Sequence, residues 1–333
     1  MKINDKVNKI GYTRINSLKV DLVYLWVSAS DPKWISKYKK HIDSNINESR
    51  LMDYNEINFS LQTVEKFFNW VNKIFIITDN QQPDLKNLSE KFLSKIRIVD
   101  HSEIIPQNIL PVFNSELIQP FIWKIKDLSE IFIVMDDDIF FGNYINISDI
   151  FDPNINVPKT YWKKRIVMNS YFTKERMNKQ KGLESTYKTF KVFKKKFGFY
   201  PDIQTLHIFY ILTKKSMEYT YNIFKDDIEN TFKYKTRNPY NIKILNLSSY
   251  VGIYFGFLKL TMIHDDTIFR TFHFEFPEAT KDEIKNIIKN KYKSFAINRL
   301  NKDTEIFFKF LQNNYFKLFT DQPNKILYIK KYY

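Results

Sequence analysis

Short apolar runs alternate with amphipathic stretches through the first half of the chain. Four runs rich in Val, Ile, Leu and Phe have the length of buried strands, and they lie at residues 20–27, 73–79, 96–101 and 131–138. From residue 55 to residue 71, apolar side chains recur at spacings of three and four, which predicts a helix. Strands that alternate with helices form a mostly parallel sheet. We therefore expect an α/β fold with a Rossmann-like sheet flanked by helices.

The pattern becomes more polar and more basic after Pro153. Residues 155–200 carry many lysines and little clean periodicity, which predicts a basic insertion. The stretch 281–300 has apolar side chains at helical spacing. The predicted organisation is a single α/β catalytic domain over residues 18–270, assembled from the halves 18–152 and 200–270 around the insertion, and then a helical, aromatic-rich C-terminal extension over residues 271–333.

Three of the predicted strands end in polar side chains. Asp79 closes the second strand, His101 closes the third, and Asp136, Asp137 and Asp138 close the fourth. The carboxyl ends of parallel strands meet at one edge of a sheet, where α/β proteins bind their ligands. The sequence therefore predicts a site at this edge.

The aspartate triplet has two interpretations. Three like charges beside buried residues are unfavourable unless a positive group compensates them. Mg²⁺ or Mn²⁺ would do so, because these hard cations prefer oxygen ligands. The alternative is a solvated turn with an acidic tip. A second acidic pair, Asp265 and Asp266, also follows an apolar run, and this favours the metal site.

Two further features leave alternatives open. The small-residue loop 28–32 follows the first strand, where backbone N–H groups and Asp31 would hold a base or a ribose. The simpler alternative is that Asp31 caps the next helix. His207 lies between apolar neighbours, and an isolated histidine in such a setting is more often a core residue than a catalyst.

Composition narrows the class of protein. The chain has 333 residues, a formal net charge of +15 and no Cys, so it can bury a substantial core and has no disulfide, thiolate zinc site or Cys nucleophile. The charge favours polyanionic partners such as nucleic acid, anionic lipid or phosphorylated substrates. No apolar run reaches about 18 residues. We expect a cytoplasmic protein, with peripheral contact at the inner face of the plasma membrane left open.

Several of these stretches, in this order, resemble conserved blocks of the Stealth family of sugar-phosphate transferases. The family's first block is similar to residues 21–32, DLVYLWVSASDP. Its second block begins near Arg50, includes Asp53 and Glu56, and ends in an acidic strand that is similar to the aspartate triplet. This second block is long and specific.

The family's third and fourth blocks are short. The third holds a His and an Arg, for which His207 and Arg237 stand in the right order, and the fourth is an acidic motif similar to residues 263–266. The fourth motif fits in either of two registers, one of which places its Asp at Asp265 and the other at Asp266. The resemblance covers roughly residues 19–270.

The chain departs from the family pattern at three places. Ser28 and Ala29 replace the usual Asn-Gly of the first block, so the loop there is stiffer. Gln62 replaces a residue that is commonly basic, which weakens any phosphate contact from that position. Asn241 stands where an acidic residue often follows the Arg.

The resemblance implies a GT-A/Rossmann-like fold and a nucleotide-sugar donor, a UDP-hexose or UDP-N-acetylhexosamine. Enzymes of this kind move sugar-1-phosphate to a hydroxyl of a growing surface polysaccharide, such as a capsule or exopolysaccharide. The products are a phosphodiester and UMP. The acceptor would be a glycan or a lipid-linked oligosaccharide, and no nucleic-acid partner is expected.

The resemblance also implies a role for each candidate residue. The catalytic candidates are His207 as general base, Arg237 as phosphate clamp, and the acids Glu56 and Asp53. The ligands of Mg²⁺ or Mn²⁺ are Asp137, Asp138 and Asp265. The nucleotide-sugar contacts are Trp26, Ser30, Asp31, Asp79, Asn114 and Ser115, and the further candidates are Asp136, Asp266, His101 and Arg50.

Two other functions remain as alternatives. A metal-dependent GT-A glycosyltransferase also uses acidic strand ends, but it releases UDP where a sugar-1-phosphate transferase releases UMP. A basic module that binds polyanions would bind with a steep salt dependence and would turn over no donor. Most aromatic residues lie within apolar runs, which argues against the binding module.

Overall fold

The structure of the protein is a computed structural model that describes residues 3, 12–14, 18–42, 53, 55–166, 168–180, 182–205, 208–263, 269–273 and 292–298. Within these residues the strands are β1 (Val20–Leu25), β2 (Ile74–Thr78), β3 (Ile96–Asp100), β4 (Ile131–Met135), β5 (Ile139–Phe141), β6 (Phe151–Asp152), β7 (Val157–Arg165), β8 (Ile203–Thr205), β9 (Tyr210–Thr213), β10 (Lys259–Met262), β11 (Phe269–His273) and β12 (Ser294–Asn298).

The α-helices of the same residues are α1 (Pro32–His41), α2 (Glu56–Phe67), α3 (Glu90–Leu93), α4 (His101–Ile104), α5 (Ser115–Ile118), α6 (Ile147–Ile150), α7 (Met168–Tyr171), α8 (Lys174–Lys179), α9 (Leu183–Phe197), α10 (Lys214–Ile223), α11 (Lys225–Glu229) and α12 (Ile244–Tyr254). A 3₁₀ helix, Gln119–Lys124, continues from α5. None of the described helices is both long enough and apolar enough to cross a bilayer.

A five-stranded sheet forms the centre of the fold. Its strand order is β3-β2-β1-β4-β9, and the first four strands are parallel while β9 runs antiparallel to β4. Every residue of β1, β2 and β4 is buried, as expected where both faces of a parallel sheet are covered. The predicted α/β class, with a mostly parallel Rossmann-like sheet, is confirmed.

Side chains of β1 alternate between two apolar cores, because successive residues of a strand point to opposite faces. On one face Tyr24 joins a cluster with Leu61 of α2. On the other face Val23 joins a larger cluster with Leu247 of α12. Burial of apolar area on both faces is the main favourable term that fixes the sheet between its helices.

The segment predicted as a basic insertion packs on this core. Its strand β7 pairs in parallel with β10 and antiparallel with β6 and β8. Its helix α9 buries Phe190 and Phe193, whose rings lie 5.5 and 5.9 Å from the ring of Tyr250 in α12. Gly198 follows the last residue of α9, and its φ of 82° is the left-handed conformation that favours glycine at this position.

A third sheet has the order β11-β12-β5. The prediction of a helical C-terminal part is therefore wrong for residues 271–273 and 294–298, which lie in strands; most of the remainder is outside the described residues. Strand β12 pairs antiparallel with β5, and Phe295 stacks on Phe140 with ring centroids 5.5 Å apart. Helical spacing over 281–300 carries no information about a strand partner that lies so far away in sequence.

Gly142 permits this pairing. A Cβ atom at Gly142 would lie 2.5 Å from the Tyr292 carbonyl oxygen, a distance that real Cβ atoms do not reach. The Gly142 N–H donates to the Lys293 carbonyl oxygen over 3.2 Å. The segment before β12 thus lies directly against the backbone that follows β5.

The amino edge of the main sheet is held by a buried carboxylate. Oδ1 of Asp21 accepts from Asn72 Nδ2 (2.7 Å) and from the Lys73 N–H (2.9 Å). Oδ2 accepts from the Ser129 N–H over 2.6 Å. Asp21 is fully buried, and its three donors tie the starts of β1, β2 and β4 together.

Candidate active site at the carboxyl edge of the sheet

The aspartate triplet forms the turn from β4 into β5. The Ile139 N–H donates to the Asp136 carbonyl oxygen over 3.2 Å, which closes the turn. The three aspartates are half-buried, and Oδ1 of Asp138 is withdrawn from solvent with no hydrogen-bond partner among the described residues. A buried carboxylate oxygen without a donor is unfavourable unless a cation or a proton reaches it.

Burial raises the pKa of both Asp137 and Asp138, because desolvation disfavours the charged form. The pKa of Asp137 is well above its usual range, and the negative charges of Asp138, Asp136 and Asp53 add to the effect of burial. Burial and the charge of Asp136 raise the pKa of Asp138 to about 8, whereas the positive charge of Arg237 opposes this. The structure therefore brings Asp53 and Arg237 to the triplet.

Two of the predicted catalytic residues, Asp53 and Arg237, reach this region, and a third lies on the neighbouring helix α2. Asp53 lies before α2 and accepts from the Asn55 N–H over 2.8 Å. Glu56 is the first residue of α2 and is fully buried. Arg237 is exposed and lies in the loop between α11 and α12.

Two hydroxyl groups that the sequence did not single out support the acidic turn. Ser60 Oγ, on the buried face of α2, donates to the Ile139 carbonyl oxygen over 2.6 Å and lies 2.8 Å from the hydroxyl oxygen of Tyr24. Burial raises the pKa of Tyr24, and the negative charge of Asp137 adds to this. The signal for Ser60 in the sequence is a polar residue at a helical position of α2 that lies among the apolar core positions.

A second polar cluster lies where β2 and β3 end. Oδ1 of Asp79 accepts from Lys37 Nζ over 2.5 Å and lies 4.0 Å from Nδ1 of His101. Burial lowers the pKa of His101 to about 4, although the charges of Asp79 and Asp100 oppose this. Within the described part of the chain, neither ring nitrogen of His101 has a hydrogen-bond partner. The neutral ring offers one donor and one acceptor to a ligand.

Other buried polar atoms at the same edge have no partner within the described residues. They are Trp26 Nε1, Trp34 Nε1, Thr78 Oγ1 and Asp79 Oδ2. Most buried polar atoms in proteins are hydrogen-bonded, so a group of unpaired ones at one edge indicates a place for a polar ligand. Ser30 lies in the loop nearby and is exposed.

Gln81, another residue that the sequence did not single out, holds the loop after β1. Its Oε1 accepts from the Ser28 N–H over 2.8 Å, and its Nε2 donates to the Ser28 carbonyl oxygen (2.7 Å) and to Asp31 Oδ2 (3.1 Å). Asp31 also accepts from the Lys33 N–H over 2.8 Å and caps α1, which is the simpler of the two interpretations given for it.

Asn114 connects the start of α5 to the loop that carries Arg237. Its Nδ2 donates to the Thr236 carbonyl oxygen (3.2 Å) and to Asn241 Oδ1 (3.0 Å). Asn241 is fully buried, so the amide at this position serves as a hydrogen-bond partner inside the protein. Ser115 is half-buried as the first residue of α5.

Four predicted site residues lie outside the described residues: Arg50, His207, Asp265 and Asp266. Among the residues that are described, no group of three or more His, Asp or Glu side chains is arranged to hold a metal ion. The predicted ligand set needs Asp265 as its third carboxylate, so it stays a prediction. The unpaired Oδ1 of Asp138 and the raised pKa of Asp137 fit a divalent cation at two of its three ligands.

Comparison with known proteins gives matches along most of the chain. A family profile described as Stealth protein CR2, conserved region 2, matches residues 50–158. The capsular polysaccharide phosphotransferase fcs1 of Haemophilus influenzae is 28% identical over 340 aligned residues, which cover 95% of this chain and 88% of that protein. A capsular polysaccharide phosphotransferase of Neisseria meningitidis serogroup B is 30% identical over 269 residues, 75% of this chain and 68% of that protein.

A solved structure of the galactosyltransferase LgtC, in complex with donor and acceptor sugar analogs, aligns with 88% of this chain and 95% of that chain. The identity is 11% and the TM-score is 0.42, so the fold class rests on the sheet described above. The α/β fold and the relatives together define an enzyme of the transferase class. The chain belongs to the Stealth family, as the resemblance of its motifs indicated.

Proposed function

We propose that the protein transfers hexose-1-phosphate or N-acetylhexosamine-1-phosphate from a UDP-sugar to a hydroxyl of a capsular or extracellular polysaccharide. The acceptor oxygen attacks the phosphorus that carries the sugar, and the bond from that phosphorus to the oxygen bridging the two phosphates breaks. A phosphodiester forms, UMP leaves with the bridging oxygen, and the acceptor proton passes to a base. The observation that carries the proposal is the cluster of Asp136, Asp137, Asp138, Asp53 and Arg237 at the carboxyl edge.

The donor would lie along this edge. Strand β1 lies between β2 and β4, so the ends of β2 and β4 are about 10 Å apart at the usual strand spacing. We place the nucleoside near the unpaired atoms of Trp26, Thr78 and His101, with Ser30 and Asp31 beside it. The pyrophosphate would then reach the aspartate triplet. The two relatives support the polysaccharide acceptor, because both are named capsular polysaccharide phosphotransferases.

Asp137 and Asp138 would hold Mg²⁺ or Mn²⁺, with Asp265 as the third ligand. The bound cation would neutralise pyrophosphate charge and polarise the bond that breaks. Asp136 and Asp53 place further negative charge behind the ligands, which favours a cation there. Arg237 would pair with two oxygens of the transferred phosphate, since a guanidinium matches that geometry.

His207 would take the proton of the acceptor hydroxyl, because the usual pKa of histidine lies near the working pH. Tyr210 of β9 pairs with Val134 of β4 in the antiparallel register, so the chain enters β9 at the carboxyl edge of the parallel strands. This supports a base supplied from just before β9. In His207→Ala, turnover should fall about 10²- to 10⁴-fold while donor binding persists; unchanged turnover would remove His207 from the mechanism.

The decisive experiment identifies the released nucleotide. The full chain is incubated with Mg²⁺, an acceptor oligosaccharide and a panel of UDP-sugars, and the products are separated by chromatography. Release of UMP with a phosphate-linked product supports the proposal, and release of UDP would overturn it in favour of glycosyl transfer. Asp138→Asn should lower turnover about 10³-fold, whereas the matched control Asp226→Asn, at an exposed aspartate, should retain it.

A further inference from the structure

A groove of about 540 Å³ lies between helix α9 and the loop that carries Arg237. This volume is within the range of about 300–1,000 Å³ that small-molecule sites occupy. The side chains that give the groove its chemistry are Glu184, Tyr187, Lys188, Lys191, Lys195 and Tyr240. The groove is therefore lined by two aromatic rings, three ammonium groups and a single carboxylate.

The three lysines form one stripe of α9. Lys188, Lys191 and Lys195 are spaced by three and four residues, which places them on the same face of a helix. Lys191 lies over the ring of Tyr187, with Nζ 4.9 Å from its centroid. Lys191 and Lys195 are exposed, and among the described residues no carboxylate forms an ion pair with any of the three lysines.

Lys188 is the most enclosed of the three. Its Nζ donates to the Tyr240 carbonyl oxygen over 2.6 Å and lies 5.6 Å from the centre of the Tyr240 ring. Burial lowers the pKa of Lys188. The negative charge of Asp227 opposes this lowering, and the positive charge of Lys191 is among those that add to it. Tyr234 stacks on Tyr240 with ring centroids 5.9 Å apart, although Tyr240 remains 61% exposed. The ring is thus held in place while much of its surface stays open.

The groove adjoins the candidate active site through one short loop. Only Asn238 separates Arg237, whose charge acts on Asp138, from Pro239 and Tyr240, which line the groove. A hydrogen bond of 3.0 Å between Asn114 and Asn241 holds this loop against the start of α5. A chain that occupied the groove would therefore lead toward the aspartate triplet.

We propose that this groove binds the acceptor as a phosphodiester-bearing oligosaccharide, with sugar rings against Tyr187 and Tyr240 and phosphate groups on Lys191 and Lys195. The assignment rests on the proposed function, in which the product carries a phosphodiester after every transfer. Aromatic rings offer flat apolar faces to the C–H side of a sugar, and the ammonium groups match the permanent negative charge of the phosphate. Continuity with the active site favours a glycan over a nucleic acid.

Equilibrium binding to the full chain tests the proposal without donor or turnover. The probes are a short synthetic oligosaccharide with two internal phosphodiester links, the same oligosaccharide without phosphate, and a single-stranded RNA hexanucleotide. We expect Lys195→Glu to weaken binding of the first probe by at least about tenfold, as for loss of a charge-assisted hydrogen bond. Lys196→Glu is the matched control, because Lys196 is exposed on the same helix and does not line the groove; it should stay within about twofold.

The aromatic contact is tested by Tyr187→Ala and Tyr187→Phe. The first should weaken binding of both oligosaccharides about tenfold, and the second should restore it, since it keeps the ring.

Equal losses in Lys195→Glu and Lys196→Glu would overturn the proposal, because they would indicate that binding depends only on the net charge. Tighter binding of the RNA than of the phosphorylated oligosaccharide would overturn it as well. Release of UDP in the turnover assay would instead overturn the proposed function, so the two failures are distinguishable.

Discussion

The two edges of the main sheet treat buried polar groups in opposite ways. At the amino edge Asp21 receives three hydrogen bonds, one of them from a side chain and two from backbone N–H groups. At the carboxyl edge Asp138 Oδ1 and both nitrogens of His101 have no partner among the described residues. The buried carboxylate therefore stabilises the fold at the amino edge. At the carboxyl edge, buried polar atoms are left without hydrogen-bond partners.

This difference separates a structural role from a ligand-binding one. A satisfied buried carboxylate contributes to stability, and its loss leaves its donors unpaired. An unsatisfied one destabilises the protein until a ligand or a cation arrives, and such groups concentrate at functional sites. Substitutions at the two edges should therefore move stability and activity in different directions.

The largest effect should come from the aspartate triplet. In Asp138→Asn we expect turnover to fall about 10³-fold, or about 4 kcal/mol in the barrier, because the amide cannot supply the charge that holds a cation. Without metal, the free energy of unfolding should stay the same or rise, since one of several repelling charges is removed. Steady-state kinetics and urea unfolding measure the two quantities. A fall of less than tenfold in turnover would remove Asp138 from the site.

The opposite outcome is expected at the amino edge. Asp21→Ala leaves three donors unpaired in a buried place and should lower the free energy of unfolding by about 3 kcal/mol. Turnover per folded molecule should remain, because the residue lies at the far end of β1 from the candidate site. Asp21→Asn, which keeps the shape and one acceptor, should lose less. A stability loss below about 1 kcal/mol in Asp21→Ala, in urea unfolding, would contradict the role assigned to it.

His101 should make the carboxyl edge sensitive to acid. Its folded pKa of about 4 lies below the usual histidine value of 6.5, so between these pH values the unfolded chain binds more protons. The contribution of His101 to the free energy of unfolding is fully present above pH 6.5. It is lost as the pH falls toward 4, and the loss is at most about 3 kcal/mol. Thermal unfolding across this range should show a shallower decline in His101→Gln. Parallel curves for the two proteins would show that His101 is not the group responsible.

The smallest effect should come from the loop after β1. Gln81→Ala removes the side chain that joins Ser28 to Asp31, and we expect a loss of about 1 kcal/mol in stability. The KM for the donor should rise several-fold while kcat changes little, because the loop positions the nucleoside and takes no part in bond breaking. A kcat that falls with an unchanged KM would place Gln81 in the chemistry instead.

The parts of the fold that the sequence predicted depend on local patterns. The four parallel strands, the helix α2 and the polar strand ends were all visible as runs and spacings. The predicted meeting of polar residues at one edge follows from parallel pairing alone, and the structure brings Asp53, Arg237 and the triplet together there.

The parts that were missed depend on partners that lie far apart in the chain. Strand β12 pairs with β5, and β10 pairs with β7, across separations that periodicity does not register. Ser60 and Gln81 act through hydrogen bonds to backbone atoms that only the folded chain places beside them. The helix α9 was obscured because its apolar stripe is narrow between lysines.

The pairing of β12 with β5 has a consequence for biosynthesis. Strand β5 begins one residue after Asp138, yet its partner strand is translated only at residues 294–298. While the ribosome is still adding the intervening sequence, the segment next to the aspartates lacks that neighbour. Nascent chains halted before residue 294 should therefore be competent to form the central sheet but should not yet complete the support of the acidic turn.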